Sequence, residues 1–166
     1  MDVARNTRSA APSEFSPSEI DDFVAFVLAG GEVTPNGLRA RIAQAPQIAF
    51  LRERECLIGV GGLKLPTLHH RTEVSAASNV PIPAADFPFE LGWVFILSSS
   101  RGKSLSVTLC ESLVSAANGQ GIFATSRVDN VGMHTTLRKL GFVRTGDEWP
   151  SKQNSDSLAL FLKYAA

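Results

Sequence analysis

The sequence predicts an α/β protein built on a sheet of mixed strand direction, and two observations carry that expectation. From residue 47 onward, strand-like runs of branched and aromatic residues alternate with stretches of helical periodicity. The helical stretches between consecutive strands are short, which suits a sheet flanked by helices. With 166 residues the chain is long enough to bury a sizeable core, and it reads as a single domain over 1–166.

Each element has its own signal. In "SPSE", Ser16 can cap a helix, Pro17 suits the first helical position and Glu19 completes a capping box. Ile20, Phe23, Val24 and Val27 follow as an apolar stripe, ended by Gly30-Gly31. "TPNGLRARIAQA" repeats the device with Thr34 and Pro35 and predicts a shorter helix. "QIAFLRER" and "CLIGVGGLKL" read as two strands joined by a tight charged turn. Residues 67–88, rich in Pro, Ser and Ala and weakly periodic, read as a long surface loop and a substrate-facing lid. "FELGWVFIL" is the most aromatic and branched run and is expected as a central strand. A helix follows over Lys103–Asn118, with Leu105, Leu109, Leu113 and Ala116 on one side. "GIFATSRV" predicts a strand, and "NVGMHTTLRKLGF" a helix with Met133, Leu137 and Leu140 inward. A closing pair of strands ends in the alternating "SLALFLKYA".

The bulk composition excludes several classes. Apolar residues make up 44% and charged residues 19%, a globular mixture. Sixteen basic and sixteen acidic side chains cancel, so no net field favours nucleic acid or an anionic membrane. The longest apolar runs, Phe23–Ala29 and Leu91–Leu97, are too short to span a bilayer, and the first residues lack the apolar core of a signal peptide. Cys56 and Cys110 have neither metal-ligand spacing nor the number for a disulfide framework, and a reducing cytoplasm is the expected location. His69-His70 would point apart in a strand or loop, with no further ligand at metal spacing, so no metal is expected.

"ILSSSRGKSLS", Ile96 to Ser106, admits three readings. It ends like a Walker A loop, but the glycine that motif needs falls on Leu97, and no strand ends in the aspartate of a magnesium site. A strand turning directly into a helix is the second reading, since the free amides of a helix start bind phosphate. Arg101 and Lys103 would add charge, and Ser104 and Ser106 hydroxyl donors. The third is a solvated serine turn.

The stretch resembles the GCN5-related N-acetyltransferase (GNAT) family, whose acyl-CoA signature is [QR]-x-x-G-x-[GA]. Arg101-Gly102-Lys103-Ser104-Leu105-Ser106 matches its arginine and spacing, with serines at both signature glycines. A second region strengthens the resemblance. The family follows its fifth strand with a helix reading N-x-x-A-x-x-L-Y-x-K-x-G-F, and here Asn130, Lys139 and Gly141-Phe142 stand at the matching positions.

The resemblance implies a mixed, mostly antiparallel sheet of six to seven strands, flanked by about four helices, with strands four and five splayed. It implies acetyl-CoA as cosubstrate, a primary amine of a small molecule or peptide as acceptor, and direct transfer. Phe95 and Ile96 would then lie along the pantetheine arm, the amides of Arg101 to Ser106 would cradle the pyrophosphate, and Asn130 would bond to the pantetheine or its phosphate. If the first helical turn has ordinary angles, serine costs little at 104 and can donate to phosphate; if the loop needs positive φ there, affinity should suffer. The first case is expected, with micromolar acetyl-CoA binding. Glu90 stands where several branches carry a catalytic glutamate. Partial desolvation between Phe89 and Leu91 is expected to raise its pKa toward a useful value.

The family's thiolate-protonating tyrosine falls on Leu137, and the only tyrosine is Tyr164. Three stand-ins are open: His134, a hydroxyl such as Thr135 or Thr136, or water. Cys110, inside a helical pattern, does not suit an acyl-cysteine intermediate. Trp93 reads as a core aromatic or as a wall of the acceptor pocket. Asp21, Asp22 and Asp86 could attract a cationic amine or simply solvate a face. The resemblance also implies a homodimer, with the alternating final strand pairing across subunits. The alternative function is a degenerate, non-catalytic acyl-CoA-binding or interaction module.

Overall fold

A computed structural model describes residues 3–166. Seven strands form one sheet, in the order β1-β2-β3-β4-β5-β7-β6. They are β1 (Arg5–Ala10), β2 (Gln47–Glu53), β3 (Cys56–Lys64), β4 (Phe89–Ile96), β5 (Ile122–Arg127), β6 (Val143–Pro150) and β7 (Ser157–Lys163). All neighbours run antiparallel except β4 and β5. The helices are α1 (Pro17–Ala29), α2 (Leu38–Ala43), α3 (Leu68–Ser78), α4 (Leu105–Ala116) and α5 (Val131–Lys139). The mixed, mostly antiparallel sheet agrees with expectation, with five helices rather than about four.

α1 starts as its sequence predicts. Ser16 Oγ accepts from the Glu19 amide at 3.1 Å, and Glu19 Oε1 accepts from the Ser16 amide at 3.0 Å. α2 does not repeat the device. Gly37, at φ 68°, interrupts the chain after a turn at Pro35, and the helix begins only at Leu38 with no side-chain cap.

Three expectations are corrected. The long loop over 67–88 contains α3, started by Thr67, whose Oγ1 accepts from the His70 amide at 3.1 Å. Its periodicity is hidden because the buried stripe is Arg71, Val74 and Ser78. The Arg71 guanidinium donates to the carbonyls of Ile82 and Phe87 at 3.0 and 2.7 Å, pinning the loop that follows. β1 was not anticipated: as an edge strand with mostly exposed side chains it carries no apolar alternation. Finally, β7 is not an edge. It lies between β5 and β6, so its backbone is already paired within the chain, and the exposed edges are β1 and β6.

One core, on the α4 and α5 side, joins Leu63, Leu91, Leu109, Leu113, Leu137 and Phe161. On the opposite face a second joins Phe23, Val27, Ile48, Phe50 and Trp93, and a third gathers Val74, Phe87, Phe123 and Leu160 beneath α3. The feature that positions the site is in β4. The β3–β4 register shifts between Val60 and Gly62, and Trp93 takes φ 56° at that bulge. Its ring turns onto Phe23, edge to face at 6.1 Å. β3 makes room with glycine: a Cβ on Gly62 would lie 2.5 Å from the Trp93 ring.

Gly62→Ala should therefore disturb the bulge, lowering stability by about 1–3 kcal/mol in a thermal or urea melt.

Candidate active site

β4 and β5 pair only at Phe89–Ile122 and Glu90–Phe123. Beyond those two positions the parallel strands separate, leaving the later residues of β4 without a partner on that side. The gap opens into a cleft of ≈ 960 Å³, lined by β4, β5, α3, the starts of α4 and α5, and the loop after β6. Two ion pairs cross its surroundings. Lys152 Nζ is 2.6 Å from Glu73 Oε1, tying the loop after β6 to α3, and Arg127 Nε is 3.3 Å from Glu32 Oε1.

At one end of the cleft β4 leads into a short 3-10 turn and then α4. Ser104 is the N-cap residue but makes no side-chain cap bond. The amides of Lys103, Ser104, Leu105 and Ser106 have no backbone acceptor among the described residues. An uncapped helix start with free amides is suited to an anion such as a phosphate group. Arg101 is partly committed elsewhere: its Nε donates to the Ile96 carbonyl at 2.9 Å, and its guanidinium lies 5.4 Å from the Phe95 ring centroid.

Where the strands still touch lies a buried charge cluster. Glu90 is 3% exposed and faces its cross-strand partner Lys64. Its Oε2 is 3.1 Å from His70 Nε2, and its Oε1 is 3.2 Å from Lys64 Nζ. The lysine contact is one of charge, outside hydrogen-bonding angles, so Oε1 is buried without a hydrogen bond. Burial pushes this carboxyl up, but the Lys64 ammonium and the His70 hydrogen bond outweigh it and hold the pKa at about 2. The His70 and Phe123 ring centroids are 6.4 Å apart with their planes inclined by 29°, and Lys64 Nζ lies 4.9 Å from the Trp93 centroid.

The sequence matches no family model and no curated protein. Its structure has close counterparts. Arabidopsis thaliana NAA60 in complex with acetyl-CoA superposes with a TM-score of 0.70 at 11% identity, covering 97% of this chain and 98% of that one. Escherichia coli ElaA gives 0.69 at 10% identity, over 96% and 99%. The ribosomal-protein-S18-alanine N-acetyltransferase of Escherichia coli gives 0.65 at 9%, over 98% and 95%. The chain has the GNAT fold.

Within the GNAT fold, the predicted cofactor residues come together around the gap. Phe95, Ile96, Arg101, Gly102, Ser104, Leu105, Ser106 and Asn130 line the cleft, while Lys103 is exposed beside it. Asn130 caps α5, its Oδ1 accepting from the Met133 amide at 3.1 Å. Ser106 Oγ and Thr136 Oγ1 form a hydroxyl pair at 2.6 Å across α4 and α5. Ser104 departs from expectation. It takes φ 56° and ψ 23°, the left-handed region, whereas ordinary helical angles were expected. The signature's glycine at this position is thus matched by a backbone that favours glycine.

The catalytic expectations change as well. His134 is not in the cleft: it is buried, with Nε2 2.8 Å from the Arg127 carbonyl and its ring 4.9 Å from that of Phe161. Thr135 and Thr136 both line the cleft; Thr135 Oγ1 donates to the Val131 carbonyl, and Thr136 Oγ1 meets Ser106 Oγ. Tyr164 packs against Phe87, away from the gap. Glu90 reaches the cleft floor, but with its pKa lowered rather than raised, because two basic side chains meet it. Cys110 is buried, and burial pushes its thiol up to about 12. The histidine pair does diverge, but on a helix: His69 pairs with Glu73 in solvent, and His70 turns inward. Asp21 is taken by Arg39. Sequence reasoning missed Lys64 and His70, whose partner is contributed by another strand; a lysine ending an apolar strand was the only local signal.

Two outcomes follow. Glu90→Gln should destabilise the protein at pH 7 by about 2 kcal/mol. Because the folded pKa of Glu90 lies below its ordinary 4.5, its contribution is present above pH 4.5 and is lost as pH falls toward about 2. The stability gap between wild type and variant should therefore close over that window in urea melts. Ser104→Gly should relieve a left-handed backbone and raise stability by up to about 1 kcal/mol.

Proposed function

We propose that the protein is an acetyl-CoA-dependent N-acetyltransferase that passes an acetyl group directly to a primary amine of a small molecule or peptide. The observation that carries this reading is the parting of β4 from β5 after two residue pairs, with a free-amide helix start at the end of the gap. An extended arm can pair with the unpartnered edge of β4, while its phosphates meet the first turn of α4. The NAA60 structure of the same fold is a complex with acetyl-CoA, which supports that choice of ligand.

In this reading Phe95 and Ile96 flank the arm, and the amides from Gly102 to Ser106 hold the pyrophosphate, with Lys103 adding charge from outside the cleft. The free amide group of Asn130 is turned to the same ligand. The acceptor enters from the α3 side, where Lys64, His70 and Glu90 lie. Its nitrogen attacks the thioester carbonyl carbon, a C–N bond forms and the C–S bond breaks. A thiol with a reference pKa near 8.5 leaves tolerably without a strong acid, and the Thr136–Ser106 hydroxyl pair offers a local proton donor.

Ser104 takes left-handed angles, the case in which affinity should suffer, so binding at the weak end of the micromolar range is the expectation. Calorimetric titration should give micromolar binding of acetyl-CoA, and thiol release across a panel of primary amines should give turnover. No binding at millimolar acetyl-CoA would sink the reading. Binding without release on any amine would turn it to the non-catalytic alternative.

A further inference from the structure

We propose that His70 is the base that takes the acceptor's proton, and that Glu90 is a positioning residue acting only through it. The inference rests on the acetyltransferase reading above. Glu90 cannot meet an acceptor directly: the residue is 3% exposed and Oε1 has essentially no contact with solvent. His70 stands over that carboxylate, lines the cleft and keeps 40% of its side chain exposed. Lys64 also lines the cleft but keeps only 23% of its side chain exposed, so His70 is the more accessible of the two to an amine and to water.

The chemistry of the pair assigns the nitrogen. An ionised carboxylate only accepts, so the contact of 3.1 Å is Nε2–H donating to Glu90 Oε2. The proton is thereby fixed on Nε2, and the lone pair of Nδ1 is free. Phe123 holds the ring from one side, and the His70 amide is bound by Thr67 Oγ1. Lys64 lies on the other carboxylate oxygen, balancing the buried charge.

The step balances as follows. The acceptor ammonium gives one proton to Nδ1, forming an imidazolium. The neutral nitrogen attacks the thioester carbonyl, and the C–S bond breaks. A second nitrogen proton passes to the departing thiolate, and the third remains on the amide product. The imidazolium then returns its proton to solvent through its exposed edge. The charged and titratable groups around His70 are Glu90 on β4, Lys64 on β3, His69, Arg71 and Glu73 on α3, and Lys152, which bonds to Glu73 from the loop after β6.

The test compares wild type, His70→Gln, His70→Ala, Glu90→Gln and His69→Gln, with the most rapidly acetylated amine of the panel. Acetyl-CoA binding is followed by calorimetry in each. His70→Gln should bind acetyl-CoA as wild type does and lose about 100-fold or more in kcat/KM, mostly in kcat. The pH profile of kcat/KM should lose one limb in this variant. Added imidazole should restore part of the rate to His70→Ala. Glu90→Gln should displace that limb along the pH axis, and His69→Gln should leave it in place. His70→Gln turning over at the wild-type rate across the pH range would overturn the proposal. So would a loss of rate in His70→Ala that imidazole does not restore while acetyl-CoA binding stays intact. Failure of the wild type to bind acetyl-CoA, or to turn over any amine, would instead mark failure of the underlying reading and take this inference with it.

Discussion

The structure depends on a backbone constraint in β4: one strand must stay paired with β3 through a bulge yet let go of β5 after two residues. A twisted sheet does not tear of its own accord, since each lost pair leaves amides and carbonyls without partners. The bulge at Trp93 supplies the bend. Its left-handed residue is a tryptophan, so the strain is offset by burying a large aromatic against Phe23, in space that Gly62 leaves open. Cleft and core are thus coupled through one side chain.

Charge follows from the same geometry. At the closed end of the gap, where pairing persists, a carboxylate is buried between two strands and is held ionised by a lysine and a histidine reaching in from β3 and α3. Burial alone would have made it a proton carrier. Its neighbours make it a fixed negative charge, linked to the cleft through the exposed imidazole. The two ends of the cleft are electrostatically distinct, with free amides at the start of α4 and the paired cluster below.

What was legible in the sequence was whatever local periodicity decides. β4 shows in "FELGWVFI", α4 in its leucine spacing and α1 in its capping box. α3 was illegible because Arg71 and Ser78 hold two of its buried positions, satisfied by carbonyls that only the folded loop brings near. The turn before α4 was legible from its glycine and serines, but the left-handed angle at Ser104 was not, since serine itself does not announce it. His134 misled for a related reason. On the helix it looked free, whereas the end of β5 supplies its hydrogen-bond partner. Lys64, His70 and Glu90 are far apart in sequence, and no spacing rule joins them before the sheet does.

The position of β7 has a kinetic side. β6 and β7 are consecutive antiparallel strands that pair as a local hairpin, and β7 also pairs with β5 on its other side. Leu160, Phe161 and Leu162 then close two cores at once. Until β7 docks, β5 presents an open edge with apolar neighbours, which favours pairing with other chains. The β5–β7 pairing is thus a non-local contact, of the kind that slows folding.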